Sequence, residues 1–318
     1  MKRRSKLFLL ISGIIFTLGA VICLIGVAVS SSTGEQIYAA KIGEERGYTY
    51  DFSGIDKVKL SVTDADINIY GGCEKSYIEV INFNENLCSY TGNNAMVTFR
   101  ETATVDSVAG VWESGLSFKG LRYILRPVPG DKQKTVNVYL SSDEHIQSFD
   151  IDLETGNVRV TELKTVTDYD ISIQSGKIYF EDVTTESSID IKAEGDMSTD
   201  VTFNGVSADI MTLNAKSATF TADEFVSASC EMKVTAGSAT FDFVPKTELY
   251  TVNITTMGKL TVDGRVYPDK YTYPQNDAPA ADPEDGEEVE PSALKIEGND
   301  FSVNIETPAE PEDTADAE

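Results

Sequence analysis

Carboxylates two residues apart recur along this chain: Asp64 and Asp66, Asp150 and Asp152, Asp168 and Asp170. Such pairs can ligate Ca2+, or act as the acid and the base of glycoside hydrolysis when they flank a groove. Asp64-Ala-Asp66-Ile-Asn68 lacks the glycine and the distal glutamate of an EF-hand loop. On a strand, its polar side chains share the outer face. Asp150/Asp152 and Asp168/Asp170 have the same spacing and would form an acidic ladder across neighbouring strands. Directly opposed like charges are destabilising there, which a weakly held Ca2+ would relieve. A solvated strand face is the reading adopted for all three. Ser292-Ala-Leu-Lys295 has the spacing of a Ser-x-x-Lys nucleophile but none of its companion motifs. A single histidine, His145, leaves no His-pair metal site and no Ser–His or Cys–His arrangement. No catalytic, metal-ligating or cofactor-binding residue is assigned, and the chain is read as a non-enzyme.

One segment departs from its surroundings. The chain has 26 Lys+Arg against 52 Asp+Glu, a formal charge of −26, which excludes nucleic acid as a partner because a phosphate backbone needs clustered cations. Within this acidic chain, Ser114 to Lys134 carries Lys119, Arg122, Arg126, Lys132 and Lys134 against only Asp131. Trp112, Leu116, Phe118, Leu121, Tyr123 and Ile124 are interleaved. Basic and aromatic residues together suit anionic lipid headgroups or a wall polymer. Trp112, Lys119, Arg122 and Arg126 are therefore the candidate contacts with a lipid or partner. The plainer alternative is an ordinary strand at Leu121 to Leu125 whose cations pair with neighbouring carboxylates.

The elements that would position these residues begin with an apolar run. Lys2, Arg3, Arg4 and Lys6 precede Leu7 to Val29, 23 residues without a charge. A helix of that length spans about 35 Å, enough for a bilayer core. Cations ahead of it predict a single-pass cell-membrane protein with its N-terminus cytoplasmic and its bulk extracellular. The competing reading is a signal peptide cleaved near Ala28-Val29-Ser30. Cys73, Cys88 and Cys230 lie beyond the span. Cys73 and Cys88 fall near opposite ends of the strand expected at Tyr77 to Phe83, so no disulfide is expected.

From Gly130 to Val244 there is no proline, and apolar residues alternate with polar ones. The alternation repeats every 20 or 21 residues about turns at Gly156, Gly176, Asp196, Lys216, Gly237 and Met257 or Gly258. Phe149-Asp-Ile151-Asp-Leu153, Tyr169-Asp-Ile171-Ser-Ile173 and Ile189-Asp-Ile191-Lys-Ala193 occupy equal places before successive turns. Val158 and Val160, then Ile178 and Phe180, follow them. A unit this short cannot bury its own apolar face, whereas stacked units bury a continuous core. The fold class expected is all-β: a single-stranded β-solenoid or β-helix-like stack of ~20-residue coils. It would have an N-terminal β cap and one transmembrane helix before it. An antiparallel sandwich of hairpins is the alternative. Cys230 shares the inward column of Phe149 and Tyr169, so it reads as a buried thiol, while Asp209 interrupts that column.

These features divide the chain into a basic stub at 1–6, a transmembrane helix at 7–29 and a linker at 30–49. An N-terminal β region and cap follows at 50–135, and the repeats at 136–273. A Pro-, Asp- and Glu-rich segment at 274–292 reads as disordered. A strand pair about Gly298-Asn299, at 293–307, would dock as a C-terminal cap, and 308–318 is an acidic tail. Residues 274–318 hold fifteen acids and one base.

Phe52-Ser-Gly-Ile55 through Ile67-Asn-Ile-Tyr70 resembles the opening of the bacterial putative-adhesin family of unknown function, which includes the LiaG-like envelope proteins. Val136 to Leu140, Phe149 to Val160 and the Ile171–Ile178 turn are similar to its middle and its repeats. The resemblance covers about residues 50–265. It implies a membrane-anchored, extracytoplasmic β-solenoid and carries no catalytic residue across. The expected role is surface binding or an accessory part in envelope-stress signalling, with an envelope protein or a wall polymer as the partner. A polysaccharide lyase or glycoside hydrolase on the same scaffold is the alternative.

Overall fold

The computed structural model describes residues 16–18, 45–93, 95–102, 133–246, 250–273 and 292–306. Apart from a helical turn at 16–18 and a 3-10 turn at Glu85–Leu87, its regular elements are strands. In chain order they are β1 (Glu45–Asp51), β2 (Lys57–Cys73), β3 (Tyr77–Asn84), β4 (Cys88–Gly92), β5 (Met96–Glu101) and β6 (Thr135–Ser141). Then come β7 (Ile146–Thr161), β8 (Val166–Glu181), β9 (Ser188–Ala193), β10 (Thr199–Asn204) and β11 (Ser207–Pro245). The last are β12 (Tyr250–Thr256), β13 (Leu260–Val262), β14 (Arg265–Tyr267), β15 (Lys270–Tyr273) and β16 (Ser292–Glu306). All belong to one 16-stranded sheet.

The membrane expectation is corrected. Among the described residues no helix is long and apolar enough to cross a membrane, a crossing that needs about 20 apolar residues. Of the run at 7–29 only 16–18 are described, and the rest lies outside the described residues. The topology expected from it, cytoplasmic N-terminus and extracellular bulk, falls with the anchor.

Period-2 alternation makes the core. In β7 the side chains of Phe149, Ile151 and Leu153 are buried and those between face out. Parallel pairing then sets like on like. Phe149 lies against Tyr169 and Ile151 against Ile171 across β7 and β8. Tyr169 and Ile171 meet Ile189 and Ile191 on β9, and these meet Met211 and Leu213 on β11. Each of these residues is at most 1% exposed, and burying one such side chain is worth about 1.5–3 kcal/mol. Between Leu153 and Val158 the buried positions change from odd to even, so the strand turns a corner and points its next apolar pair, Val158 and Val160, into the same interior.

The corners need glycine. Gly156 and Gly176 have φ of +132° and +143°. A Cβ on Gly176 would stand 1.7 Å from the carbonyl oxygen of Gly156, and one on Gly156 2.0 Å from that of Ala65. Further along, the corner column differs from the expected turns. Gly176 pairs with Thr199, and Thr199 with Ala218, so Asp196 and Lys216 lie outside the column. Lys216 Nζ instead bonds Asp196 Oδ1 at 3.2 Å. The offset also lengthens between β9 and β11, where Ile189 meets Met211. That step puts Met211 in the inward column and leaves Asp209 outside it, paired with Lys246.

Both ends of the sheet leave chain order. β5 and β6 both pair in parallel with β2, on the side away from β7, with 103–132 between them. At the other end β16 pairs in parallel with β11 on one side and with β12 and β13 on the other. The segment expected as a hairpin cap is thus one element inserted between earlier strands. Antiparallel strands close both ends: β4 on β5, and β1 on β3 on β6, then β15 on β12 and β14 on β13.

Candidate functional site

The outward side chains of the sheet form three groupings. The first is a charged ladder. Asp150 on β7 lies directly against Asp170 on β8, and Asp170 against Asp190 on β9. Lysines at and between these carboxylates relieve the repulsion. Lys59 Nζ is 2.7 Å from Asp150 Oδ2, and Lys192 Nζ reaches Asp170 at 3.2 Å and Asp190 at 3.1 Å. Hydrogen bonds to both aspartates hold the Lys192 ammonium above its ordinary range. For Asp168, burial would raise the carboxyl. Hydrogen bonds from Ser187 and Ser188 outweigh it and bring the group below its usual value. Among the described residues no group of three or more His, Cys, Asp or Glu side chains could hold a metal ion. Asp66 accepts from Asn157 Nδ2 at 2.6 Å, a cross-strand bond. Lys295 of the Ser-x-x-Lys spacing is 3.1 Å from Glu231 and 3.2 Å from Glu297, and Ser292 is buried.

The second grouping is a polar groove of about 330 Å3 lined by Ser61, Val62, Thr63, Arg100, Glu101, Asp152, Glu154 and Gln174. It lies where β2, β7 and β8 turn their corner and β5 ends. Glu101 anchors it. The carboxylate is 3% exposed, with Oε1 2.5 Å from Lys134 Nζ and Oε2 accepting the Thr63 N–H at 3.0 Å. Both oxygens are therefore engaged in holding β5, β2 and the start of β6 together. Arg100, Asp152 and Glu154 are exposed on its walls.

The third grouping lies on the far side of the corner. Tyr70 on β2, Tyr139 on β6 and Tyr77 on β3 are successive cross-strand partners. Their rings stack with centroids 5.2 and 4.4 Å apart. Two positions along, Asn68 Nδ2 donates to Asn137 Oδ1 at 3.0 Å, and Asn137 Nδ2 donates to Glu79 Oε2 at 2.9 Å. The column continues through Arg159 on β7, whose guanidinium lies 4.8 Å from the Tyr179 ring of β8. Burial first, then the Glu79 charge, hold the phenols of Tyr139 and Tyr77 above the ordinary tyrosine range.

Trp112, Lys119, Arg122 and Arg126 lie outside the described residues. Of the basic segment, Lys134 is described, and its charge is committed to Glu101. The buried thiol expected at Cys230 is present, 3.7 Å from Met211 Sδ. Burial raises it well above the ordinary thiol value, so it is a poor nucleophile.

No family model and no curated protein matches this chain. Several solved structures do. A "putative cell adhesion protein" from Clostridium sporogenes is 13% identical with a TM-score of 0.34, covering 83% of this chain and 100% of its own. A "putative adhesin" from Bacteroides fragilis is 10% identical with a TM-score of 0.42, covering 84% of this chain and 99% of its own. A "putative lipid binding protein" from Parabacteroides distasonis is 9% identical with a TM-score of 0.33, covering 83% and 94%. These likenesses are too distant to assign an activity.

Proposed function

We propose that this chain is a non-enzymatic binding scaffold of the adhesin kind, built as a β-solenoid, whose outward ladders engage a polymer or protein ligand of the cell envelope. The observation that carries it is the parallel register running Ile151, Ile171, Ile191, Leu213. Stacked in this way, the inward columns are buried and the outward ones repeat at the strand spacing of about 4.8 Å. A face with fixed spacing and few moving parts is pre-organised, so ligand contacts are gained without ordering loops. The sequence resemblance to the putative-adhesin family supports the same reading, including its narrower LiaG-like branch.

The test is retention of beads coated with the purified chain on immobilised bacterial wall, mucin and matrix protein. Saturable retention on one of them, with no soluble product released, is expected. Release of reducing ends or unsaturated sugars from a polysaccharide would overturn the reading in favour of an enzyme.

A further inference from the structure

We propose that the tyrosine–asparagine face of β3, β6, β2 and β7 binds a neutral glycan chain laid along the strand-stacking direction. This rests on the scaffold reading and names the ligand class of one of its faces.

Three observations converge on it. First, the rings of Tyr70, Tyr139 and Tyr77 cover one another, so what they offer outward is a row of phenolic hydroxyls, one per strand. Among the described residues these hydroxyls have no hydrogen-bond partner in the protein. Burial and Glu79 raise those of Tyr139 and Tyr77, which therefore stay protonated. Second, the Asn68–Asn137–Glu79 chain is held in one orientation by its own hydrogen bonds. Each planar group keeps further acceptor or donor capacity for a ligand. Third, the face is close to neutral within a chain of −26. The eight outward positions in the two columns on these four strands are Tyr77, Glu79, Tyr139, Asn137, Tyr70, Asn68, Thr161 and Arg159, one acid and one base. An anionic polymer would meet net repulsion from the chain, whereas a hydroxyl-rich neutral one would not.

The spacing fits as well. Adjacent strands lie about 4.8 Å apart, comparable to the advance per sugar of an extended β-1,4-linked glycan. Successive sugars can therefore meet Tyr77, Tyr139 and Tyr70 in turn.

Calorimetry with cellohexaose, xylohexaose and chitohexaose tests this, with polygalacturonate as the anionic control. Binding to at least one neutral hexaose is expected. Tyr139→Phe keeps the stacked ring and removes one hydroxyl, and it should weaken binding roughly fivefold per lost hydrogen bond with melting unchanged. Tyr77→Phe should act in the same direction. No binding to any neutral hexaose, equal binding by Tyr139→Phe, or preference for polygalacturonate would each overturn the proposal. Bead retention on wall or matrix would survive any of those failures, whereas cleavage of a hexaose would overturn the scaffold reading itself.

Discussion

Lys134 Nζ lies 2.5 Å from Glu101 Oε1, across the two ends of the chain that flank residues 103–132. Because the second Glu101 oxygen takes the Thr63 N–H, one carboxylate fixes the outermost parallel strands to the corner of β2. The described residues on either side of 103–132 are thus tied together at one carboxylate.

Glu101→Ala removes both bonds and leaves Lys134, which is 16% exposed, without its counter-charge. Breaking a largely buried pair by deleting one partner should cost about 2–4 kcal/mol, read as a fall in the urea midpoint. Lys134→Met alone should also destabilise. Adding it to Glu101→Ala should cost less than the two singles combined, because the stranded ammonium disappears. Strict additivity in this cycle would show that the contact is not coupled.

Glycines along the corner should separate into two classes. Gly176→Ala puts a methyl against the Gly156 carbonyl in a backbone region that disfavours any side chain. A loss of about 3 kcal/mol or more is expected. Gly54 also has a positive φ, +64°, but open space about its Cα, so Gly54→Ala should cost only about 1–2 kcal/mol. Thermal melts of the two variants provide the comparison.

Acid should weaken the outward ladders at identifiable groups. Hydrogen bonds from Lys233 and Lys295 lower the Glu231 carboxyl, and those from Ser187 and Ser188 lower Asp168. A carboxyl lowered on folding adds stability above its unfolded value and loses that contribution as pH falls through the folded one. Urea midpoints should therefore drop from neutral pH down past the ordinary carboxyl range. Asp168→Asn should lower the midpoint at neutral pH and flatten that drop. Both groups are exposed enough for solvent to screen them, so each effect should be modest.

Removing the residues after Tyr273 should do more than trim an end. β16 separates β11 from β12 and β13, and buries Leu294, Ile296, Phe301, Val303 and Ile305. Without it, amides of Tyr250–Thr256 should lose hydrogen-exchange protection while those of Ile151 and Ile171 keep theirs. Unchanged protection in β12 would mean that β11 and β12 can close on each other directly.

The inward columns were legible because Ile151, Ile171 and Ile191 recur at a constant interval with polar residues between them. The lengthened step to Met211 was not, since the extra residues fall between Ala193 and Thr199, about the turn already expected at Asp196, and Asp209 sits where an apolar residue was expected. Chain order at the ends was also hidden. Nothing local in Met96–Glu101 and Thr135–Ser141 marks them as neighbours of β2 on one side, and Gly298-Asn299 reads as a hairpin although it is a corner in a ladder that stays parallel, with Gly298 opposite Val234 and Asp300 opposite Ala236. The groove and the tyrosine row depend on those pairings. Tyr139 lies 62 residues beyond Tyr77 and 69 beyond Tyr70, and the three meet only because β6 lies between β2 and β3. The mistaken membrane expectation came from a different source: a count of uncharged residues measures reach but does not place a helix.

The place of β16 also orders events during synthesis. Tyr250 leaves the ribosome 42 residues before Ser292, the residue it lies against, a lag of about 2–8 s at 5–20 residues per second. Through that interval the nascent chain carries two facing strand borders with nothing between them. A translation pause within residues 274–291 would extend the time during which chaperones, or another nascent copy, can reach the gap.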